Sequence, residues 1–232
     1  MEDGRYYDAF AAAYYRGMAL RGENVALSER LLRAPLEELT DEERQAIIRA
    51  GCAVRDRRYY FKRTHGEMAR VKRVLGFLRS VRFDTLLDVG SGRGAFLIPF
   101  MDEFPWVRVS SADILEHRVR FLQDMRAGGV DRLTAVNADI TRMPFDEKSH
   151  DVVTMLEVLE HIPRVDKAVE AAVRIARRHV VVTVPSKPDD NPEHIHLLTK
   201  AALTELFALA GCERLRFDGV GGHLFMVATV EK

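Results

Sequence analysis

Residues 85–95 read Thr-Leu-Leu-Asp-Val-Gly-Ser-Gly-Arg-Gly-Ala, and no other stretch narrows the possible folds as far. A short apolar run carries Asp88 near its end. Gly90, Gly92 and Gly94 follow at alternate positions, and a helical pattern resumes at Ala95 and Phe96. A strand that breaks into a glycine turn and re-enters as a helix is a nucleotide cradle, because glycine accepts positive φ and lets a ligand approach the backbone. The carboxylate selects among nucleotides. Beside the turn it repels a pyrophosphate and attracts an ammonium or sulfonium, which points to S-adenosylmethionine. NAD is the competing ligand: Gly90, Gly92 and Ala95 satisfy G-x-G-x-x-A, and Asp113 lies 19 residues beyond Gly94, a plausible ribose distance. Against NAD stand Asp88, the predicted end of the chain, and the lack of a second domain for a hydride acceptor.

The chain divides near residue 80. Before it the pattern is helical: Thr40-Asp-Glu-Glu43 and Thr64-His-Gly-Glu67 both read as capping boxes, the second opening a helix with Met68, Val71, Val74, Leu75 and Leu78 on one face. After it, β-branched apolar runs at 85–89, 107–112, 133–137, 151–156 and 179–184 alternate with helical stretches near 94–103, 116–127 and 166–177. Such alternation predicts a parallel sheet covered on both faces. A last helix, Lys200–Ala210, stops at Gly211. Glu213–Phe217 and His223–Val230 then read as strands joined by Asp-Gly-Val-Gly-Gly. So short a link forbids a parallel crossover, so the final strand is predicted antiparallel. The domains expected are a helical lid or substrate-side extension, 1–80, and a ligand-binding α/β domain, 81–232.

At 232 residues with 47% apolar and 30% charged residues, one sizeable α/β core with a helical extension is expected. A net charge of zero gives no global preference for nucleic acid. The polar start, Met-Glu-Asp-Gly-Arg, argues against a leader peptide, and no apolar run is long enough to span a membrane. Cys52 and Cys212 have no metal-like spacing and read as free thiols in a reducing, cytoplasmic compartment.

Taken in order, Leu86-Leu-Asp88-Val-Gly90-Ser-Gly92-Arg-Gly94, Asp113, Asn137-Ala-Asp139-Ile140, the Phe145–Val153 approach to the fourth strand and its end at Leu156-Glu157-Val-Leu-Glu160-His161 resemble the class I S-adenosylmethionine-dependent methyltransferases, in particular the ubiquinone and small-molecule group. The resemblance covers roughly residues 68–230. It implies a Rossmann-like seven-stranded sheet of order 3-2-1-4-5-7-6 with strand 7 antiparallel, plus the N-terminal helical extension. It also implies site roles: Gly90, Gly92 and Gly94 beneath the methionine portion, Asp88 near its ammonium, Asp113 at the ribose, Ile114 beside it in the cofactor site, Asp139 and Ile140 at the adenine, and Leu156 and Glu157 on the pocket wall. Asp113 also suits a helix cap and Asp139 a turn.

Methyl transfer from a sulfonium is an in-line displacement with a neutral leaving group, so alignment and water exclusion dominate, and a base serves only a protonated nucleophile. His161 is the catalytic candidate. Three readings of Glu157, Glu160 and His161 stay open: pocket wall and loop organisation, a general base at His161, or a divalent metal site completed by His194 or His196. The last resembles metal-dependent small-RNA 3′-end methyltransferases, and the donor set suits Mg²⁺, Mn²⁺ or Zn²⁺ alike. Tyr6, Tyr7, Tyr14, Tyr15, Tyr59, Tyr60 and Phe61 fit either an aromatic acceptor pocket or a helical core. Residues 44–79 hold eleven Lys/Arg against Asp56 and Glu67, either a solvated face or a surface for phosphate or RNA. The functions left standing are methylation of a small-molecule O, N or C nucleophile, methylation of RNA, and non-catalytic S-adenosylmethionine binding by a regulator.

Overall fold

A computed structural model describes residues 5–188 and 190–230; Met1–Gly4, on which the leader-peptide expectation partly rests, lie outside the described residues. The helical half holds α1 (Asp8–Leu20), α2 (Glu29–Arg33), α3 (Asp41–Val54) and α4 (Ala69–Leu78). The Thr40 box forms as read: Thr40 Oγ1 accepts from the Glu43 N–H at 3.2 Å and Glu43 accepts from the Thr40 N–H at 3.0 Å. The Thr64 box does not cap. Residues 58–65 are short 3₁₀ turns held against the chain start, through Tyr7 N–H to Phe61 O and Arg63 N–H to Arg5 O, both 2.8 Å. Helix α4 therefore begins only at Ala69, and it buries Val71, Val74, Leu75 and Leu78 as its periodicity predicts.

The sheet follows: β1 (Thr85–Val89), α5 (Leu97–Glu103), β2 (Arg108–Asp113), α6 (Glu116–Ala127), β3 (Leu133–Asn137), β4 (His150–Leu156), α7 (Val165–Ile175), β5 (Ala176–Pro185), α8 (Lys200–Leu209), β6 (Leu215–Val220) and β7 (His223–Thr229). Its order is β3-β2-β1-β4-β5-β7-β6, with β7 antiparallel to both neighbours. The hairpin is tighter than the expected five-residue link. Strand β6 runs through Asp218-Gly-Val220, leaving a two-residue turn at Gly221-Gly222, both at positive φ, which suits the natural twist of a hairpin.

One apolar cluster on each face of the sheet forms the core. The first joins the N-terminal helices to α5, α6 and one sheet face; the second packs α7 and α8 on the other. Helix α1 lies on α6 at backbone distance: a Cβ at Gly17 would overlap the Asp124 carbonyl, and one at Gly128 the Ala13 carbonyl. The buried Arg16 fastens this contact, donating to the carbonyls of Gly128 and Ala34. Tyr14, Tyr15 and Phe61 are almost fully buried, with Tyr14 and Phe61 against Phe121 of α6. Of the N-terminal aromatic set most is thus core.

The close α1–α6 approach predicts that Gly17→Val lowers stability by about 3 kcal/mol, as overpacking against rigid backbone does; urea denaturation measures it.

Candidate functional site

The parallel strands end together at Val89, Asp113, Asn137 and Leu156, the edge where open α/β sheets take ligands. There a cleft of about 180 Å³ is lined by Met68, Arg70, Asp88, the glycine turn, Phe96, Leu156 and Glu157. A larger depression of about 580 Å³ lies at the opposite edge, by Phe83, Trp106 and Asp151. The strand ends favour the smaller one.

Asp88 is buried on β1. Thr154 Oγ1 of β4 donates to its Oδ1 at 2.6 Å. Among the described residues no cation pairs with it. Burial dominates and pushes its pKa up to about 6, against the hydrogen bonds that favour the charged form. The turn beyond is locked by Gly90 N–H to Ala112 O at 2.7 Å, Gly94 N–H to Ser91 O at 2.8 Å, and the Ser91–Ser111 hydroxyl pair at 2.7 Å. Gly90, Gly92 and Gly94 all take positive φ.

Asp113 serves the backbone: Oδ2 accepts from Gly92 N–H at 3.1 Å and Oδ1 from Leu115 N–H at 2.9 Å. A carboxylate has about four acceptor positions, so two remain open. Beside it Ile114 and Leu115 are 68% and 48% exposed, apolar surface that a flat ring can cover. Asp139 accepts from Thr141 N–H at 2.8 Å, the turn role, and Ile140 is buried behind it.

Glu157 stands at φ +58, a conformation that costs a non-glycine residue free energy. Its Oε1 accepts from Thr183 Oγ1 at 2.7 Å, and its Oε2 lies 2.9 Å from His223 Nδ1, within ion-pair distance but off the ring N–H direction. His223 escaped the sequence reading. Its only signal was its place at the start of a strand predicted to be antiparallel.

Glu157 is thus turned toward β5 and β7. Glu160, His161 and His194 do gather, with one ligand atom from each within 4.8 Å of the others. His161 Nδ1 also bonds the Glu193 carbonyl at 2.9 Å, and His196 Nε2 bonds the Ile162 carbonyl at 3.0 Å. His196 therefore ties its loop to the turn after β4, outside this group. The basic stretch is largely neutralised: Arg44, Arg55, Arg58, Arg63, Lys72, Arg73 and Arg79 each face a carboxylate.

Residues 87–183 match the family described as "Methyltransferase domain". This segment carries a methyltransferase domain. A solved S-adenosylmethionine-dependent methyltransferase from Aquifex aeolicus shares the fold, with TM-score 0.59 and 20% identity over 72% of this chain and 92% of that one. Magnesium protoporphyrin IX methyltransferase from Synechocystis, solved with bound S-adenosylhomocysteine, does so at TM-score 0.56 and 15% identity, over 70% and 82%. Among curated relatives, the ubiquinone/menaquinone biosynthesis C-methyltransferase of Paracoccus denitrificans is 33% identical over 94 residues, 40% of this chain and 38% of that protein. The malonyl-[acyl-carrier protein] O-methyltransferase of Methylococcus capsulatus is 29% identical over 92 residues, 40% and 33%. The match thus spans only 33–38% of the length of these two curated relatives.

A buried acid with a raised pKa binds extra protons when folded, so its charging opposes folding as the pH rises from 3.8 through about 6. Asp88→Asn is therefore expected to stabilise the ligand-free protein at neutral pH by roughly 2–3 kcal/mol. The gain should fade as the pH falls below 6; urea denaturation across pH measures both.

Proposed function

We propose that the chain transfers the methyl group of S-adenosylmethionine, in line, to an oxygen, nitrogen or carbon nucleophile of a small molecule in the cytoplasm. Asp88 carries this reading: a buried carboxylate at the glycine turn, lining the cleft, with no cation paired to it among the described residues. The cofactor's ammonium answers that need. Gly90, Gly92 and Gly94 would lie under the methionine portion, and the open acceptor positions of Asp113 would take the ribose hydroxyls. Ile114 and Ile140 would flank the adenine, Asp139 accept from its amino group, and Leu156 and Glu157 form the wall. When bound, the cofactor supplies a methyl already activated on a sulfonium. The chain has then to hold the acceptor in line, exclude water and, where the nucleophile carries a proton, accept it. His161 serves as that base in this reading. His223 beside Glu157 is the alternative imidazole; such hydrogen bonds often align only once substrate is present.

A small acceptor is favoured over RNA because seven of the eleven cations in 44–79 already face carboxylates. One observation favours a metal-dependent RNA-methylating enzyme instead: the grouping of Glu160, His161 and His194. Metal analysis separates the two. The small-molecule reading expects no divalent ion after dialysis against Mg²⁺, Mn²⁺ or Zn²⁺; one ion per chain, lost in Glu160→Gln, favours the second. A regulator that only binds would transfer no labelled methyl group to any metabolite or RNA.

Calorimetry tests the shared premise. S-adenosylmethionine is expected to bind, Asp113→Ala to weaken it by about 1–3 kcal/mol through lost charge-assisted hydrogen bonds, and Asp88→Asn to weaken it although it stabilises the fold. No heat at millimolar ligand would sink the proposal.

A further inference from the structure

Tyr60 lies at the junction of the N-terminal segment, the glycine turn and the start of α6, and its ring is 8% exposed. Three guanidinium groups converge on it. The Arg57 guanidinium carbon stands 5.4 Å from the ring centroid and that of Arg93 5.6 Å, and Arg118 is close enough to the Tyr60 hydroxyl to lower its pKa. Tyr59 packs edge-on at 4.2 Å and is 45% exposed, an aromatic face open to solvent. The local field reads strongly positive. Burial pushes the Tyr60 hydroxyl up, yet the neighbouring Tyr59, Arg118 and Arg57 outweigh this and hold it below its usual range. Burial, then Arg93 and Lys62, push His65 down.

The nearby acids are engaged elsewhere. Asp56 caps the Arg58 N–H, Glu116 pairs with Arg120, and both Asp113 oxygens take backbone N–H groups. Among the described residues Arg57, Arg93 and Arg118 have no carboxylate partner, unlike most arginines of the same stretch. Gathering like charges opposes folding unless an anion answers them. Guanidinium forks suit the oxygens of phosphate or carboxylate. Arg93 also lines the cofactor cleft, so such an anion would stand at its mouth.

We propose that Arg57, Arg93 and Arg118 bind the phosphate or carboxylate group of a small anionic methyl acceptor, whose apolar body rests on Tyr59. The substrate assignment rests on the methyltransferase reading; the anion site does not.

The test is calorimetric titration of inorganic phosphate into the protein, with and without saturating S-adenosylhomocysteine, at ionic strength matched with chloride. Phosphate is expected to bind, and Arg93→Gln and Arg57→Gln each to weaken it about tenfold. Arg30→Gln on α2, which loses only its ion pair with Glu43 of α3, is expected to leave it unchanged. Far-ultraviolet circular dichroism checks folding, and Arg57→Gln alone suffices if Arg93→Gln misfolds. Heat no different from chloride, or equal affinity in the variants, overturns the site. Binding of single-stranded RNA without binding of phosphate overturns the small-acceptor assignment. Phosphate binding without S-adenosylhomocysteine binding sinks the methyltransferase reading and leaves the anion site standing.

Discussion

The structure turns on a carboxylate buried at the middle of its sheet. Asp88 sits on β1, between β2 and β4, where an anion is costly. Its surroundings hold it without neutralising it: Thr154 reaches across from β4, and the serine pair binds the turn to β2. A hydrophobic residue would fill this position at lower cost, and the raised pKa measures part of that cost. An unpaired acid at a glycine turn is destabilising alone and useful once a cation arrives, which is how functional sites commonly trade against stability.

The helical half meets this site through packing. Helix α1 is pressed to α6 by Gly17, Gly128 and the bonds of Arg16, and α3 packs against α1, where Gly51 leaves room for Tyr15 alone. The buried aromatic cluster of Tyr14, Phe61 and Phe121 then sets the path of residues 57–61 across the start of α6. That path brings the Tyr59–Tyr60 pair to the glycine turn. Core packing on one face of the sheet thereby decides which charged groups border the cleft.

Much of this was legible in the chain. The glycine turn, the alternation of β-branched runs with helices, and the short terminal link each express local physics, and together they lead to a parallel sheet with a reversed last strand; the order of the strands followed only from the family resemblance. The Thr64 box misled because S/T-x-x-E reports only a propensity, and tertiary hydrogen bonds from residues 5 and 7 outbid it. The hairpin came out tighter because two adjacent glycines accept the mirror-image turn that strand twist favours. Clusters of side chains from distant segments left no local signature. Glu157 and His223, or Arg57 and Arg118, are 66 and 61 residues apart in sequence, and only the fold joins them.

The reversed last strand has a consequence for the site that an all-parallel sheet could not supply. Every parallel strand delivers its final residue to the ligand edge. Strand β7 runs the other way and delivers its first, so His223 pairs in register with Pro185 at the end of β5. From there its imidazole reaches Glu157, whose positive φ turns the carboxylate toward Thr183 and β7. Such a backbone conformation costs on the order of 1–3 kcal/mol and persists only where neighbours over-determine it. Here they do: the Glu157 N–H donates to the Thr183 carbonyl at 2.9 Å, and the Thr183 hydroxyl donates back to the carboxylate. The antiparallel hairpin thus completes the sheet and also brings an imidazole beside Glu157, a strained carboxylate that lines the cleft.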